Sequence, residues 1–560
     1  MVGRRLGWRG LLAALCAASA IAVALVWTAS AQSAPKPTPA ERIANVQLLG
    51  VNDFHGNLEP PNVKVGGRTV GGADYLDSYL DQYEAANPDR TIRVHAGDML
   101  GASPLISSYF HDEPTVYAMN NMEFDVGTLG NHEFDEGGKE MLRLINGGQR
   151  NDGLEFKDGP DGQPINTSDP DFTGADFPYI AANTILKSSG QTVLPPTQVI
   201  ERDGVTVGFI GVTTEDTPNI VVPDAMEPFT ITDISETVNR QARLLQDQDV
   251  KAIVVLAHAG GLFRSPTEAT GEIIDETAEM NKFVDVVVAG HSHSFLNNRV
   301  NGKLIVEAFS FGTAFDQVNM KVDRRTGEVL ESSAEVITTF NDEAAGVAPD
   351  PATSRLVADY KARITPISER VVGTAATTIT RTADPDAEIP LGDLIADAQR
   401  ANADAQIAFM NPGGIRADIA EGPVTYGELF TVQPFDNQVV RMELTGDQIY
   451  RLLEQQFQTG RTSILQVSGI KVSYNASNPA GQRITSLTLS DDKPVERGTT
   501  YTVAANSFIA TGGDGFTVFK EGQNPTTIGS DVDALEAHVS TLPQPFGVPA
   551  DFGQRISKQG

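Results

Sequence analysis

Five short runs of this 560-residue chain end in side chains that hold metals or move protons. NVQLLGVNDFHG ends in Asp53 and His55, and TIRVHAGDM reaches Asp98. FDVGTLGNHEFD delivers Asn131, His132 and Asp135. KAIVVLAHAGG delivers His258, and VDVVVAGHSHS delivers His291 and His293. A lone histidine after an apolar run is usually a polar loop residue, the reading given to His111 and His538. His95, inside its run, reads as core or as support for a ligand. The coincidence of five such runs, each with glycine beside the donor, points instead to one site. Imidazole, carboxylate and one amide, without thiolate, suit Zn, Mn, Fe or Co, and are too rich in nitrogen for Mg or Ca alone. Seven donors (Asp53, His55, Asp98, Asn131, His258, His291, His293) exceed one ion's needs. They suit two divalent ions roughly 3.5–4 Å apart with a bridging carboxylate and water, an arrangement that clamps a phosphoryl oxygen and generates hydroxide for in-line attack. His132 is set aside for chemistry.

The elements that must position these donors are strands. Each run is apolar and rich in β-branched residues, and helical patterns alternate with them, so the sequence predicts an α/β region from residue 45 to 340. In such sheets ligands bind at the carboxyl edge, where all five runs end. Residues 147–178 break the pattern with Gly, Asn, Pro and many Asp. They read as an acidic surface insertion, and the calcium-loop order of ligands is absent. A second break at 341–354 precedes a helical stretch over about 355–367. The segment 341–368 is expected to connect to a strand-rich second domain, 369–541, and 542–560 to form a polar tail. No internal repeat is evident.

The N-terminus predicts export. Arg4, Arg5 and Arg9 precede an apolar run from Leu11 to Trp27, and Ala29-Ser30-Ala31 offers a cleavage site. A signal peptide over 1–31 and a Pro-rich linker over 32–44 are expected, with an uncleaved anchor as the rival reading. The only cysteine, Cys16, lies in the signal, so the mature chain uses neither disulfides nor thiolate. A net charge of −31 argues against nucleic acid and anionic membrane as partners. It does not exclude a small anionic substrate, because a metal reverses the local field.

Three motifs mark the second region: MNPGGIRADI, QPFDNQ and NSFIATGGDGF. Each alone is adequate as a turn between strands. Read together, they offer more. Arg416 follows two glycines that permit close backbone approach and can fork onto phosphate or ribose. Phe435 and Phe508 sit among polar turn formers, where two rings could sandwich a flat base.

The ordered set NDFHG, GD, GNHEFD, H and GHSHS resembles the calcineurin-like metallophosphoesterases, and residues 45–540 resemble the secreted 5′-nucleotidase/UDP-sugar hydrolase family. The resemblance implies a four-layer αββα sandwich joined by a helix to a smaller α+β nucleotide-binding domain. It implies that Asp53, His55, Asp98 and His293 hold one metal, and that Asp98, Asn131, His258 and His291 hold the other. His132 and Asp135 would form a catalytic dyad, His132 stabilising the transferred phosphoryl group or protonating the leaving oxygen. Phe435 and Phe508 would stack on the base, and Asn437 and Asp514 would bind base and ribose. Asn411, Gly414 and Arg416 would contact ribose or phosphate, and Arg381 would add a phosphate contact. Two departures stand out. His293 replaces a Gln found in some relatives, and Pro412 replaces a frequent Gly.

The expected activity is therefore that of a secreted, two-metal hydrolase removing the 5′-phosphate from nucleotides, with UDP-sugars as further substrates. A 2′,3′-cyclic phosphodiesterase/3′-nucleotidase shares the same metal motifs. A non-catalytic surface nucleotide binder is the alternative of another class, and the intact GNHEFD argues against it. The partner is a small nucleotide, with no nucleic acid and no stable membrane association after cleavage.

Overall fold

The computed structural model describes residues 42–150, 167–265, 267–435, 437–458 and 461–559. The expected signal peptide, most of the linker and the centre of the acidic insertion lie outside the described residues. No described helix is long and apolar enough to cross a membrane.

Strict alternation builds the first half. In β1 (Ile43–Val51), Ala44, Val46 and Leu48 point one way, while Leu49 and Val51 point the other. The first set packs between two sheets, against Val254 and Leu256 of the strand Ala252–His258. The second packs under the helix Ala73–Ala86, against Leu76 and Leu80. Ile253 and Val255 likewise meet Ile234 and Val238 of the helix Ile234–Asp247 on the far side. Two strands buried on both faces demand four layers, helix–sheet–sheet–helix, as expected.

Each sheet has six strands. In the first, β1 runs parallel to β2 (Thr91–His95), β2 to β3 (Val126–Thr128) and β3 to Tyr179–Ile180. In the second, the parallel strands are Val205–Thr213, Ala252–His258, Val286–Ala289 and Lys303–Ala308. Register brings Val51 beside His95 and His95 beside Gly127. In the other sheet Ala257 lies beside both Val212 and Ala289. Parallel strands in this register end together, so all five donor runs open at one edge.

The connector helix runs from Pro351 to Ser368, longer than the 355–367 expected. Asp350 caps it, accepting from the backbone N–H of Ala352 and Thr353, and Pro351 occupies the first position. Thr353 donates to Asp77 at 2.5 Å and Ser354 to Asp74 at 2.7 Å, tying its start to the first half. Tyr360 stacks edge-on against Phe110 at 4.9 Å. Gly427 of the second half lies against Ser368 at the other end.

The second half holds a five-stranded mixed sheet, ordered Gln466–Ser468, Ile407–Met410, Thr500–Asn506, Gln438–Thr445, Gln523–Ser530, flanked by the helices Pro390–Asn402 and Asp531–Thr541. The expected polar tail is not a tail throughout. Ile556–Lys558 pairs in parallel with Ile470–Tyr474. Beside it Arg555, 5 % exposed, donates to Asp397 at 2.8 and 2.9 Å and to Asp551 at 2.6 Å. Buried Glu388 accepts from the backbone N–H of Gly553, Arg555 and Ile556. Asp397 and Glu388 lie some 160 positions upstream, so local composition hides them.

Candidate active site

The seven expected donors converge where the two sheets open. Among the described residues, Asp53, His55 and His293 form one group of potential ligands, and Asp98, His258 and His291 another, each with its ligand atoms within 4.8 Å of one another. Asn131 joins the second, its Oδ1 3.1 Å from His258 Nε2. Asp98 stands between the groups, with Oδ2 3.0 Å from His258 Nε2 and 3.7 Å from His55 Nε2. His291 shares the cleft through its ring contact with His258 at 5.1 Å.

Backbone shape aims these side chains. Asp53, His55, Asp98, His291 and His293 all have left-handed φ, between 47° and 80°. Such residues persist only where the surroundings over-determine them, and they cluster at functional sites. Here the surroundings are hydrogen bonds. The N–H of Asp53 donates to Gly97 and that of His55 to Asp98. The N–H of His291 donates to the Asp53 carboxylate at 2.9 Å, and that of His132 to Asp98 Oδ1 at 2.8 Å. Gly130 is required for close approach, because a Cβ there would sit 2.1 Å from Asp98 Oδ1.

Proton positions test whether the donors fit metal ions. His55 Nδ1 lies 2.9 Å from the Gly101 carbonyl and His258 Nδ1 2.9 Å from the Ala96 carbonyl. A carbonyl only accepts, so Nδ1 carries the proton in the neutral ring and Nε2 turns a lone pair inward. His55 Nε2 then faces His293 Nε2 at 3.2 Å, and His258 Nε2 faces oxygens of Asp98 and Asn131. Lone pairs converging at these distances call for cations. Burial opposes charge on His258, yet Asp98 pushes its pKa up to about 10, so a proton fills the role when no metal does. The donor set fits divalent ions.

His132 takes no part in the inner groups except through the 4.8 Å set it shares with His55 and Asp98. Its Nδ1 lies 2.8 Å from Asp135 Oδ2, which fixes the ring. Burial opposes its charge, but Asp135 and Asp98 together hold the imidazole above its ordinary range. Its face stacks on Phe435 at 5.7 Å and 20°.

That contact joins the two halves of the chain. A cleft of about 340 Å³ is lined by Asn131, His132, Asp135 and His291 from the first half. From the second come Asn411, Gly414, Arg416, Phe435, Asn437, Phe508 and Asp514. Apart from Arg381, the expected catalytic and substrate-binding residues therefore share one cavity. The Arg416 side chain has no hydrogen bond or ion pair among the described residues; its guanidinium lies 5.8 Å over the Phe435 ring. Burial and the nearby Arg381 lower its pKa, so it is a cation in want of an anion. Arg381 itself is exposed and does not line the cleft; its backbone N–H donates to Asp418.

Of the remaining histidines, His95 is fully buried among Phe124, Phe177 and Tyr179, as core. His111 and His538 are not loop residues in solvent. His111 is buried and lies on Thr167 and Arg150, and His538 is half-buried in the helix Asp531–Thr541.

Several site residues escape sequence reasoning. Glu133, inside GNHEFD, is 5 % exposed and accepts from the backbone N–H groups of Asp98, Met99, Leu100 and Gly130. Asp216, Ile220 and Val222 line the cleft just after the strand Val205–Thr213. Its carboxyl end is a neighbour of the five runs, and the strand-end rule extended to it would have found them. Arg461 had no signal.

Residues 46–295 match the profile of the calcineurin-like phosphoesterases, and 371–521 that of the 5′-nucleotidase C-terminal domain. This chain belongs to the calcineurin-like 5′-nucleotidase family. Within the family's neighbourhood, it is 35% identical over 517 residues to endonuclease YhcR of Bacillus subtilis, covering 91% of this chain and 40% of that protein. It is 36% identical over 531 residues to the cell wall protein Lmo0130 of Listeria monocytogenes, covering 88% and 66%. The chain thus spans less than two thirds of either relative. A 5′-nucleotidase precursor from Thermus thermophilus superposes with a TM-score of 0.76 at 27% identity, over 92% of this chain and 99% of that one. The calcineurin-like phosphoesterases as a family act on phosphoesters with divalent metals, and this chain carries donor groups of a type that suits such ions.

Proposed function

We propose that the chain is an extracytoplasmic nucleotide phosphohydrolase that releases phosphate from nucleoside 5′-monophosphates. One observation carries this reading: metal-type donors and two aromatic residues of the facing half line the same cleft. A general phosphatase needs the first and not the second.

In this reading Asp53, His55, Asp98 and His293 hold one divalent ion, and Asp98, Asn131, His258 and His291 hold a second. When bound, the ions neutralise phosphoryl charge and acidify water at the site. The chain's own residues do the rest. Arg416 pairs with the phosphate. Phe435 and Phe508 stack on the base, and Asn437, whose amide oxygen is already taken by Ser507 at 3.0 Å, turns its NH₂ to the base. His132 carries a proton to the departing 5′ oxygen, and Asp135 holds the Nδ1–H so that Nε2 faces that oxygen. Export is supported by the likeness to a cell wall protein, with the signal cleaved after Ala31.

A phosphodiester reading is favoured by the likeness to an endonuclease. Chromatography of the products from AMP, 2′,3′-cyclic AMP and UDP-glucose, with and without Mn²⁺, separates these, because opening the cyclic diester or splitting UDP-glucose leaves a phosphomonoester and frees no phosphate by itself. Conversion of AMP to adenosine, alone or with cleavage of UDP-glucose, is the expected result; turnover of the cyclic diester without AMP would overturn the monoesterase reading, and no conversion of any of the three would favour a binder.

A further inference from the structure

Asp514 is buried in the cleft wall, 4 % exposed, with left-handed φ of 53° in the turn Gly513–Gly515. Its Oδ2 accepts from the Asn411 amide at 3.0 Å, and its Oδ1 accepts from Arg461 Nη2 at 2.7 Å. Asn411 is itself fixed, its Oδ1 accepting from Asn506 at 2.9 Å. A carboxylate offers about four lone-pair sites. Two are used here, so about two remain toward the cleft, on a group that can only accept. The complementary ligand feature is a pair of neighbouring hydroxyl donors, as on the 2′ and 3′ carbons of ribose.

Arg461 is the only cation touching Asp514 among the described residues, and it makes a second contact. Its Nη1 lies 3.7 Å from Asp216 Oδ2. Asp216 immediately precedes the short helix Thr217–Ile220 of the phosphoesterase half, which packs on the Gly513–Gly515 turn. One guanidinium therefore joins the carboxylate in the cleft wall to the opposite half of the chain. No metal ligand is involved.

We propose that Arg461 is a positioning residue for sugar recognition: it holds Asp514 so that the cleft distinguishes a ribonucleoside from its 2′-deoxy counterpart, with Asp216 bracing it across the cleft. This rests on the nucleotide reading above. Without Arg461 the buried carboxylate loses its counter-charge and one of its two anchors, and swings away. Lost discrimination, with other contacts intact, is the signature.

The test is titration calorimetry of the Mn²⁺-loaded protein with adenosine and with 2′-deoxyadenosine. Wild type should prefer adenosine by roughly tenfold or more, the worth of one hydrogen bond to a charged acceptor. In Arg461→Ala the preference should shrink to about threefold or less. Asp216→Ala should weaken both nucleosides by a common factor and keep the preference. If Arg461→Ala melts early, Arg461→Lys is read instead, and should show a preference below that of wild type. Wild-type preference retained in the Arg461 variant that folds, or no preference in wild type, overturns the inference. Nucleoside discrimination that depends on Arg461, without AMP hydrolysis, would instead sink the hydrolase reading and leave this one standing.

Discussion

Replacing Glu133 by Gln changes one atom's chemistry in a closed cradle. The wild-type Oε2 accepts from Asp98 N–H at 3.0 Å and Gly130 N–H at 2.5 Å. Oε1 accepts from Met99 N–H at 2.9 Å and Leu100 N–H at 3.4 Å. A glutamine of the same shape can place its oxygen toward one pair only. Its NH₂ then confronts the other pair, donor against donor. Each buried N–H left unsatisfied costs about 1–3 kcal/mol, so two cost about 2–6 kcal/mol. The cost falls on the two loops that would present Asp98 and Asn131 to the proposed metals. Two readouts follow. The thermal midpoint of the metal-stripped protein should drop by several degrees. Affinity for Mn²⁺ by calorimetry should fall by roughly 10–100-fold, as for loss of a group that orients a ligand. An unchanged midpoint together with unchanged Mn²⁺ affinity would refute the reasoning and reduce Glu133 to a bystander in its motif.

Other outcomes are expected from the site. Asp98→Ala should lose both metals by elemental analysis and nearly all turnover, while chelator-treated wild type should recover with Mn²⁺, Co²⁺ or Zn²⁺; two metals retained in the variant would undo the bridging role. His132→Asn should keep its metals and slow turnover by roughly 10²–10⁴-fold, and metal loss in that variant would make His132 a ligand. Phe435→Ala or Phe508→Ala should lower kcat/KM for AMP by roughly 5–150-fold, from about 1–3 kcal/mol of stacking. An aryl phosphate should be affected much less, and an equal fall in both would mark the rings as packing. Trp8 and Trp27 are the only tryptophans, so exported protein cut after Ala31 should emit as tyrosine alone; tryptophan emission would mean a retained segment.

The strands and the donors were legible for the same reason. An apolar β-branched run is buried on both faces of a parallel sheet, and its carboxyl end is where function sits, so Asp53, Asp98 and His258 announce themselves by position. Phe435 and Phe508 were legible as aromatics out of place among turn formers. Glu133 was hidden because its partners are backbone N–H groups, which every sequence has. Arg461 and Asp216 were hidden because each makes sense only opposite the other half of the chain. Arg555 looked like part of a polar tail because Asp397 lies far upstream. What pattern cannot supply, in each case, is a long-range partner for a polar group.

The left-handed backbone at five candidate metal-ligand positions bears on how such a centre can drift over evolutionary time. Asn, Asp and His tolerate that conformation better than other residues with side chains, and β-branched ones tolerate it poorly. All five positions, Asp53, His55, Asp98, His291 and His293, carry members of that small set. The lineage is thus confined twice, by what coordinates a cation and by what the main chain permits. Exchanges within Asn, Asp and His cross a low barrier. A β-branched residue such as Thr at the same places would strain the loop. Metal preference in this architecture should therefore be retuned more readily from the residues behind the ligands than by replacing the ligands themselves.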